Sequence, residues 1–418
     1  MAAGVFAEYG QDLISPHMAS EYEMPLTGGL HRSAICFGHI LKPVFFSFFH
    51  HNKRLEMASA STSTSTRTLT AACLCKSVQY TLTLTTDVLP LKVHLCSCTI
   101  CRRTHGSPCS FHAPLPSGIA PEFIAPSSIA NLTAYTHANA HSTRFFCTTC
   151  GCHIGDRDCG TNDWFISTAL FDANSDEGWY EIDSHCFTYS TGDGGISSLL
   201  PRVKGRDIKV WNPKSDSEPA LSSETQNDSN KLLAQCHCGG VSFTIARPRE
   251  EYIHTPSSRK WIHPSDTSKW LALVDACSDC RLVTGSNVIM WMFVPTDHIT
   301  PQPPADLLFG SMTAYESSEG VRRTFCGTCG ATVFYSHKER PGIVDVATGI
   351  LHAAKGVMLG DWAVWRTARV GFVEDGLKYD FGFTRGLEDG LREWGVRMDG
   401  ESRDFGVSAE THRAVEDD

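Results

Sequence analysis

The stretch "VHLCSCTICRRTHGS" (residues 93–107) places three cysteines, Cys96, Cys98 and Cys101, close together in the chain. A closed structural zinc site takes four protein ligands, whereas a catalytic zinc site takes three and keeps one position open. The stretch therefore poses a question about the fourth ligand, which either lies elsewhere in the chain or is not a protein group.

The same pattern of motifs occurs twice. The first block reads "CLCKSVQYTLTL", "CSCTICRRTHGS" and "TAYTHANAHSTRFFCTTCGCHIG", and the second reads "CHCGGVSFTIAR", "DACSDCRLVTGS" and "TAYESSEGVRRTFCGTCGATVF". The spacing from Cys101 to Cys147 is 46 positions (147 − 101), as is that from Cys280 to Cys326 (326 − 280). The second block has extra length around "REEYIHTPSSRKWIHP", which predicts a loop insertion. A fixed spacing between matching motifs indicates an internal duplication.

Composition restricts the class of protein. The chain has 418 residues, 41% of them hydrophobic and 20% charged, which is typical of a soluble globular protein with two or three domains. Its formal net charge of −10 argues against nucleic acid as a partner, since proteins that neutralise phosphates are usually basic.

Eighteen cysteines fit either a secreted disulfide framework or metal sites in a reducing compartment. The chain does not start with the basic segment of a signal peptide, and the apolar patch at residues 34–49 is interrupted by His39, Lys42 and Pro43. We therefore expect metal sites, no membrane association, and a cytoplasmic protein, with the nucleus as the alternative.

Alternating apolar and polar residues dominate both blocks and predict strands, for example in "SVQYTLTL", "VSFTIA" and "ATVFYS". The predicted fold class is mostly β, in two tandem zinc-binding domains. The expected divisions are a disordered or doubtful N-terminal extension (1–66), a first zinc domain (67–211), a polar linker (212–231), a second zinc domain (232–385) and a charged tail (386–418).

The outer cysteines of each block form two pairs. A Cys-x-Cys and a later Cys-x-x-Cys-Gly supply four thiolates, which is the number that a structural zinc ion binds. The first set is Cys73, Cys75, Cys147 and Cys150, and the second is Cys236, Cys238, Cys326 and Cys329. Free buried cysteines or disulfides are the alternative.

If the outer four close on themselves, Cys96, Cys98 and Cys101 remain as a separate triad. Three protein ligands with one open position are typical of catalytic zinc, and the open position can take water, an aldehyde oxygen or a thiolate. Arg102 could offset the thiolate charge or hold a substrate carboxylate, with simple solvated charge as the alternative. His105 could shuttle protons, or it could be an exposed loop histidine.

The second block departs from the first at the triad. Asp275 stands where the first block has Cys96, followed by Cys277 and Cys280. Aspartate can bind zinc as a harder oxygen donor, so this site is either a weaker, altered metal site or a site that has lost its chemistry.

The order of these motifs resembles the glutathione-dependent formaldehyde-activating family, which includes the centromere protein V-like domains. The resemblance covers roughly residues 68–200 and 232–380, including Arg144-Phe145-Phe146-Cys147 and Arg323-Thr324-Phe325-Cys326. It implies an Mss4-like β fold, one structural zinc per domain, and a catalytic zinc on the first triad. This sequence departs from the family pattern at Lys76, where glycine is usual, and at Ser97, where histidine is common.

The resemblance also implies carbon–sulfur lyase chemistry on a glutathione–aldehyde adduct such as S-(hydroxymethyl)glutathione. Glutathione carries two carboxylates, and Arg102 and Lys76 are the candidates to meet them. The alternative function is a non-catalytic, zinc-stabilised protein-interaction module, and a weaker one is a thiol redox switch that uses the spare cysteines.

Overall fold

The computed structural model describes residues 65–138, 140–213 and 230–405. The expected N-terminal extension (except its last two residues), most of the expected linker, and residues 406–418 lie outside the described ranges, as does Cys36.

The first copy is built mainly of strands. Its strands are β1 Thr66–Ala72, β2 Gln79–Thr85, β3 Leu91–Cys96, β4 Ser110–Pro114, β5 Glu122–Phe123, β6 Leu132–Tyr135, β7 Ser142–Cys147, β8 His153–Asp158, β9 Trp164–Ser167, β10 Tyr180–Cys186, β11 Arg202–Val203, β12 Arg206–Asp207 and β13 Lys209–Trp211. Its α-helices are α1 Thr99–His105 and α2 Ile196–Leu199. Short 3₁₀ helices lie at Thr86–Val88, Ile129–Asn131, Thr168–Leu170, Ser175–Glu177 and Thr188–Thr191.

The second copy repeats this order. Its strands are β14 Lys231–Gln235, β15 Ser242–Ala246, β16 Trp270–Asp275, β17 Ile289–Pro295, β18 Ile299–Thr300, β19 Met312–Ser318, β20 Val321–Cys326, β21 Thr332–His337, β22 Ile343–Ala347, β23 Leu351–His352 and β24 Ala363–Trp365. Its α-helices are α3 Glu250–Ile253, α4 Ser278–Thr284, α5 Val373–Tyr379 and α6 Phe381–Asp399. Short 3₁₀ helices lie at Pro256–Lys260, Thr296–His298 and Thr348–Ile350.

Each copy has one small and one large sheet, and the first copy also has the two-stranded sheet β11-β12. The first copy orders its small sheet β1-β2-β5 and its large sheet β13-β10-β3-β4-β9-β8-β7-β6. The second copy orders them β18-β15-β14-β23 and β19-β20-β21-β22-β17-β16-β24. The mostly β class predicted from sequence is confirmed, and the three quoted alternating segments correspond to β2, β15 and β21.

Alternation explains the hairpin that carries the first Cys-x-Cys. Strand β2 alternates half-buried and buried residues along its whole length, and β1 pairs with it antiparallel from Thr66↔Thr85 to Ala72↔Gln79. The buried side, which includes Leu69, Leu82 and Leu84, joins an apolar core that contains residues of both copies. This packing holds the cysteines of the turn after β1 against the large sheet.

The two short helices after the triads begin and end in the same way. Cys98 caps the N-terminus of α1 and accepts a hydrogen bond from the N–H of Cys101, and Cys277 stands at the corresponding end of α4. Gly106 and Gly285 end the helices in the left-handed region, with φ of 73° and 72°. A glycine is needed at such a helix end because other residues are strained there.

The two copies contact each other through equivalent residues. A Cβ on Gly106 would lie 2.3 Å from the carbonyl oxygen of Thr332, and one on Gly285 would lie 2.1 Å from that of His153. The N–H of Leu74 donates to the carbonyl of Leu282 at 3.0 Å. The contact is therefore two-fold in character, like the interface of a symmetric dimer within a single chain.

The same symmetry brings each outer cysteine cluster close to the other copy. The N–H of His237, which lies between Cys236 and Cys238, donates to the carbonyl of Arg103 at 3.1 Å. The hydroxyl of Tyr135 lies 2.7 Å from Nδ1 of His237. The fold of one copy therefore supports the cysteine turn of the other.

Two segments differ from the sequence-based expectation. The charged tail expected after residue 385 begins inside α6, whose Leu387, Leu391 and Trp394 are buried. Four glycines obscure the period of this helix in the sequence because glycine is a poor helix former, and three of them, Gly382, Gly386 and Gly390, face the first copy. They allow α6 to lie directly on residues 199–204 of the first copy.

The expected loop insertion is an ordered segment. It contains α3 and the 3₁₀ helix Pro256–Lys260, and it places Trp261 on the large sheet of the second copy, where the ring is 3% exposed. The sequence reads as a loop because its apolar residues have no regular period, whereas tertiary packing of Trp261 orders the segment.

Candidate metal centres and active site

The structure brings together the four cysteines of each predicted outer cluster. In the first copy, the Sγ of Cys75 lies 3.4 Å from that of Cys73 and 3.6 Å from that of Cys147, and all four Sγ atoms, including that of Cys150, lie within 4.8 Å of one another. Sulfur atoms bound tetrahedrally to zinc at 2.3 Å are about 3.8 Å apart. The cluster therefore fits a four-thiolate zinc site.

The outer cluster of the second copy has the same geometry. The Sγ of Cys238 lies 3.5 Å from the Sγ of Cys236 and 3.5 Å from that of Cys326. Backbone N–H groups of Gly240 and Val241 donate to these thiols at 3.4 and 3.3 Å, which stabilises thiolates. Both outer clusters are thus assembled by the backbone turns that carry them.

The first triad lies where β3 ends and α1 begins. Cys96 is the last residue of β3, Cys98 caps α1, and Cys101 lies in its first turn, so their Sγ atoms are within 4.8 Å of one another. Cys101 is buried, but Cys96 and Cys98 are only half-buried. This arrangement fits an ion held by three thiolates with one side left for another ligand.

Local interactions favour the thiolate form of Cys98, whereas the pKa values of Cys96 and Cys101 are raised, chiefly by a hydrogen bond from Cys101 for Cys96 and by a hydrogen bond with Cys98 and burial for Cys101. Hydrogen bonds from the thiols of Cys101 and Cys96 hold the pKa of Cys98 well below its ordinary value, and the Arg144 guanidinium adds to this effect. Nη2 of Arg144 lies 3.9 Å from the Sγ of Cys101. The N-terminus of α1 also favours negative charge.

The predicted substrate-binding roles of Arg102 and Lys76 find no support in the geometry. Arg102 is 4% exposed, and it donates from Nε to the carbonyl of Ser97 at 3.0 Å and from Nη2 to that of Ser190 at 3.1 Å. The alternative of solvated charge is therefore wrong for Arg102, which ties the triad loop to the segment after β10. Lys76 is exposed and belongs to the turn of the outer cluster.

His105 is buried rather than exposed. Its Nδ1 lies 2.9 Å from the carbonyl oxygen of Cys101, and its ring stacks on His153 with centroids 3.8 Å apart. Burial lowers the pKa of His105 well below its ordinary value and that of His153 to about 4, so both rings are neutral at pH 7.

Sequence reasoning missed two further members of this cluster. The ring of His112 lies 5.2 Å from that of His105, and its Nδ1 lies 3.2 Å from Oδ2 of Asp156. They come from β4 and β8, which are separated in the chain, so only the sheet register could have placed them beside the triad. The four polar side chains form one layer behind α1.

The second triad is closed on all sides. Oδ1 of Asp275 accepts from the N–H of Cys277 at 2.6 Å, and Oδ2 accepts from Nε1 of Trp291 at 3.1 Å and from the thiol of Cys280 at 3.4 Å. Burial raises the pKa of Asp275 to about 6. Nη1 of Arg323 lies 3.4 Å from the Sγ of Cys280 and supplies the balancing positive charge.

An apolar cluster covers this second site. Cys277 and Cys280 belong to it, and its other members come from four strands and from the insertion. The buried members are Trp261, Leu271, Leu273, Cys277, Cys280, Ile289, Trp291, Phe293, Ile343, Ala347 and Val364. Asp275, Cys277 and Cys280 still lie within 4.8 Å of one another, but the carboxylate is engaged by protein donors.

The remaining described cysteines lie outside the four clusters. Cys109, Cys152 and Cys186 are buried and Cys159 is half-buried. Cys152, two residues after Cys150, packs in the apolar core next to the outer cluster.

No helix within the described ranges is long and apolar enough to cross a membrane.

The fold and the sites define a chain of two tandem, mostly β domains, each arranged around two cysteine-rich clusters. The family model described as "Glutathione-dependent formaldehyde-activating enzyme" matches residues 68–190 and 264–366, which is more than half of the chain. The chain therefore belongs to the glutathione-dependent formaldehyde-activating family.

Two other comparisons give little more. No curated protein matches the chain. A solved structure of a Rhodobacter sphaeroides protein, from a structural genomics programme, is 17% identical over 32% of this chain and 98% of its own, with a TM-score of 0.21.

Proposed function

We propose that the first copy is a zinc-dependent carbon–sulfur lyase that acts on a glutathione–aldehyde adduct such as S-(hydroxymethyl)glutathione. The observation that carries the proposal is the group of three thiols, Cys96, Cys98 and Cys101, whose Sγ atoms lie within 4.8 Å of one another with no fourth His, Cys, Asp or Glu ligand among the described residues of the group. Three thiolates leave one position of a tetrahedral zinc ion for a substrate atom. Membership of the family supports the glutathione adduct as the substrate class.

The cleavage reaction breaks the carbon–sulfur bond of the adduct and transfers one proton from the hydroxyl oxygen to the sulfur. In cleavage, the adduct hydroxyl loses its proton as the carbonyl forms, and the carbon–sulfur electron pair leaves with the sulfur, which takes up a proton. Zinc held by Cys96, Cys98 and Cys101 would supply Lewis-acid chemistry at this point. Arg144 offsets thiolate charge through its contact with Cys101, and Arg102 fixes the loop that carries Ser97.

The second copy, in this proposal, does not catalyse the reaction. Both carboxylate oxygens of Asp275 already accept protein hydrogen bonds, and Trp291 occupies the space beside them. The site is also covered by apolar side chains, so a substrate has no path to it. The role we assign to the second copy is structural support of the first through the two-fold contact.

The test uses the full chain and two equivalent variants, Cys98→Ala and Cys277→Ala. We expect the parent to accelerate conversion of S-(hydroxymethyl)glutathione over a metal-free control. Cys98→Ala should lose this acceleration and one zinc ion by native mass spectrometry, whereas Cys277→Ala should lose neither.

Two results would contradict the proposed function. A parent that does not change the rate would rule out the lyase and favour the non-catalytic interaction module. An equal loss in both variants would mean that the second site also reacts.

A further inference from the structure

A short edge strand distinguishes the first triad from the second. Strand β13 pairs in parallel with β10, which in turn pairs in parallel with β3. In the second copy, β24 takes the place of β10 and is the last strand at that edge of the sheet in the described residues. The added strand therefore lies only beside the triad that has three cysteines.

The register directs two side chains of β13, Lys209 and Trp211, to the triad face. Trp211 pairs with Cys186, and Cys186 pairs with Cys96, so the three side chains form a row on one face of the sheet. Two strand spacings of about 4.8 Å place the backbone of Trp211 about 10 Å from that of Cys96. The indole is 41% exposed.

Two more aromatic residues complete a surface that we call the aromatic ledge, defined as Phe187, Tyr189 and Trp211. The ring of Phe187 lies 5.4 Å from that of Trp211 and 6.2 Å from that of Tyr189. Ser190, the residue after Tyr189, donates from Oγ to the carbonyl of Ser97 at 2.9 Å, which holds this segment against the triad loop. The ledge thus extends from the triad to the edge strand.

The backbone fixes the ledge in place. Phe187 has a φ of 57°, in the left-handed region that non-glycine residues rarely adopt, and its N–H donates to the carbonyl of Trp211 at 3.1 Å. In the second copy, the equivalent Phe372 also has a positive φ but packs against the closed apolar cluster.

Size decides which part of an adduct can reach the ledge. The hydroxymethyl group of the adduct is a single carbon and stays at the triad, whereas the peptide chain of the thiol spans a distance of the order of the 10 Å between Cys96 and Trp211. Aromatic faces bind such chains through their large apolar area.

We propose that the aromatic ledge binds the thiol part of the adduct and determines specificity for a peptide thiol. This inference rests on the proposed function of the first triad, and it assigns to Trp211 a binding role that is separate from the chemistry.

The test measures binding apart from turnover. The probe is S-methylglutathione, an adduct analogue that has no hydroxyl group, titrated against the full zinc-loaded chain, Trp211→Ala and Trp211→Phe. We expect Trp211→Ala to weaken binding and raise KM about tenfold, with little change in kcat, and Trp211→Phe to lose less. The fluorescence of Trp211 is obtained as the difference between the parent and Trp211→Phe. We expect the bound probe to protect this fluorescence against quenching by acrylamide.

The matched control is Val210→Ala. Val210 is 59% exposed on the same strand, but strand alternation directs it to the opposite face. We expect binding, KM and zinc content to stay at parent values in this variant. Circular dichroism and zinc content confirm that each variant is folded.

Two results would overturn the proposal that the aromatic ledge binds the thiol part of the adduct. If Trp211→Ala binds the probe as tightly as the parent, or if the parent does not bind it, the thiol is held elsewhere. Turnover of S-(hydroxymethyl)glutathione by the same parent sample shows separately whether the proposed function stands.

Discussion

The outer faces of the two large sheets carry different residues at equivalent positions. In the first copy, His94 pairs with His112 and Cys96 with Ser110. In the second, Leu273 pairs with Trp291 and Asp275 with Ile289. A polar face that holds the first triad therefore corresponds to an apolar face that buries the second.

The difference shows that the loss of one cysteine is accompanied by a rebuilt surrounding. Trp291 donates to the carboxylate that replaces a thiol, and Trp261 from the insertion covers the face. Arg323, in contrast, is unchanged, because Arg144 makes the equivalent contact in the first copy. Burying an aspartate without such partners costs free energy, so the changes stabilise one another. The outer clusters, in contrast, are alike in both copies.

The prediction with the largest expected effect, on the free energy of unfolding, tests whether the two outer clusters are equivalent. Cys150→Ala and Cys329→Ala each remove one ligand from an equivalent outer cluster, and we expect each to lower the free energy of unfolding by at least about 5 kcal/mol, because structural zinc contributes directly to folding. Urea unfolding and zinc content measure the effect.

Cys109→Ala is the control, because Cys109 is a buried thiol outside every cluster. It should cost on the order of 1 kcal/mol. A stable, cooperative Cys150→Ala or Cys329→Ala would show that the copies differ at their outer clusters as well.

Exchanging the differing ligand tests the triads. Cys96→Asp gives the first copy the residue of the second, and we expect turnover to fall by about 10²–10³ because an electrostatic contribution to the transition state is lost. Asp275→Cys is the reciprocal change, and it should add no turnover because the apolar cluster still covers the site.

Kinetics on S-(hydroxymethyl)glutathione and zinc content of the two variants decide this prediction. New turnover in Asp275→Cys, measured with Cys98→Ala present to silence the first copy, would show that the cover admits substrate.

Sequence alone predicted much of the fold and the grouping of the cysteines. Fixed spacing identifies Cys147 and Cys326 as equivalent, and alternation identifies β2 and β15. Local sequence patterns determine these features, so the features can be predicted without knowledge of the strand order in the sheets.

The surroundings of the triads were not predictable in the same way. His112 and Asp156 meet only because β4, β9 and β8 are neighbours in one sheet. Trp261 and helix α6 act through contacts distant in sequence, and the glycines of α6 weaken its local signal.

Acid should affect the first copy more than the second. Burial is the largest cause that lowers the pKa of His153, from 6.5 to about 4, and neighbouring positive groups add to the effect. In the second copy, Thr332 occupies the position equivalent to His153. A histidine with a lowered folded pKa contributes stability that is present above pH 6.5 and lost as the pH falls towards 4. The loss is about 2 kcal/mol at pH 5.

We expect His153→Thr to lack this part of the acid sensitivity in urea unfolding between pH 7 and 5. The titratable and charged groups around the His153 ring are His105, His112, Asp156 and Arg144. Because the substitution also changes its contacts with these groups, the dependence of the unfolding free energy on pH is compared, and not the free energy itself. His141→Thr, at an exposed histidine, should keep the parent slope. An unchanged slope in His153→Thr would assign the acid sensitivity elsewhere.

The smallest expected effect tests how the second copy holds the first through helix α6. A Cβ on Gly390 would lie 2.1 Å from the carbonyl oxygen of Leu199, a backbone atom that cannot turn aside. Alanine favours the helix by about 1 kcal/mol over glycine, but overpacking costs about 1–3 kcal/mol, and overlap with a backbone atom favours the upper part of that range, so we expect Gly390→Ala to destabilise by about 1–2 kcal/mol. Asp389→Ala, at an exposed neighbouring position, combines the helix-propensity gain with the loss of an exposed ion pair to Arg392, so it should be close to neutral in the same urea titration. Equal gains in both variants would mean that α6 does not lie against the first copy in solution, and the two copies would then be held together by the two-fold contact alone.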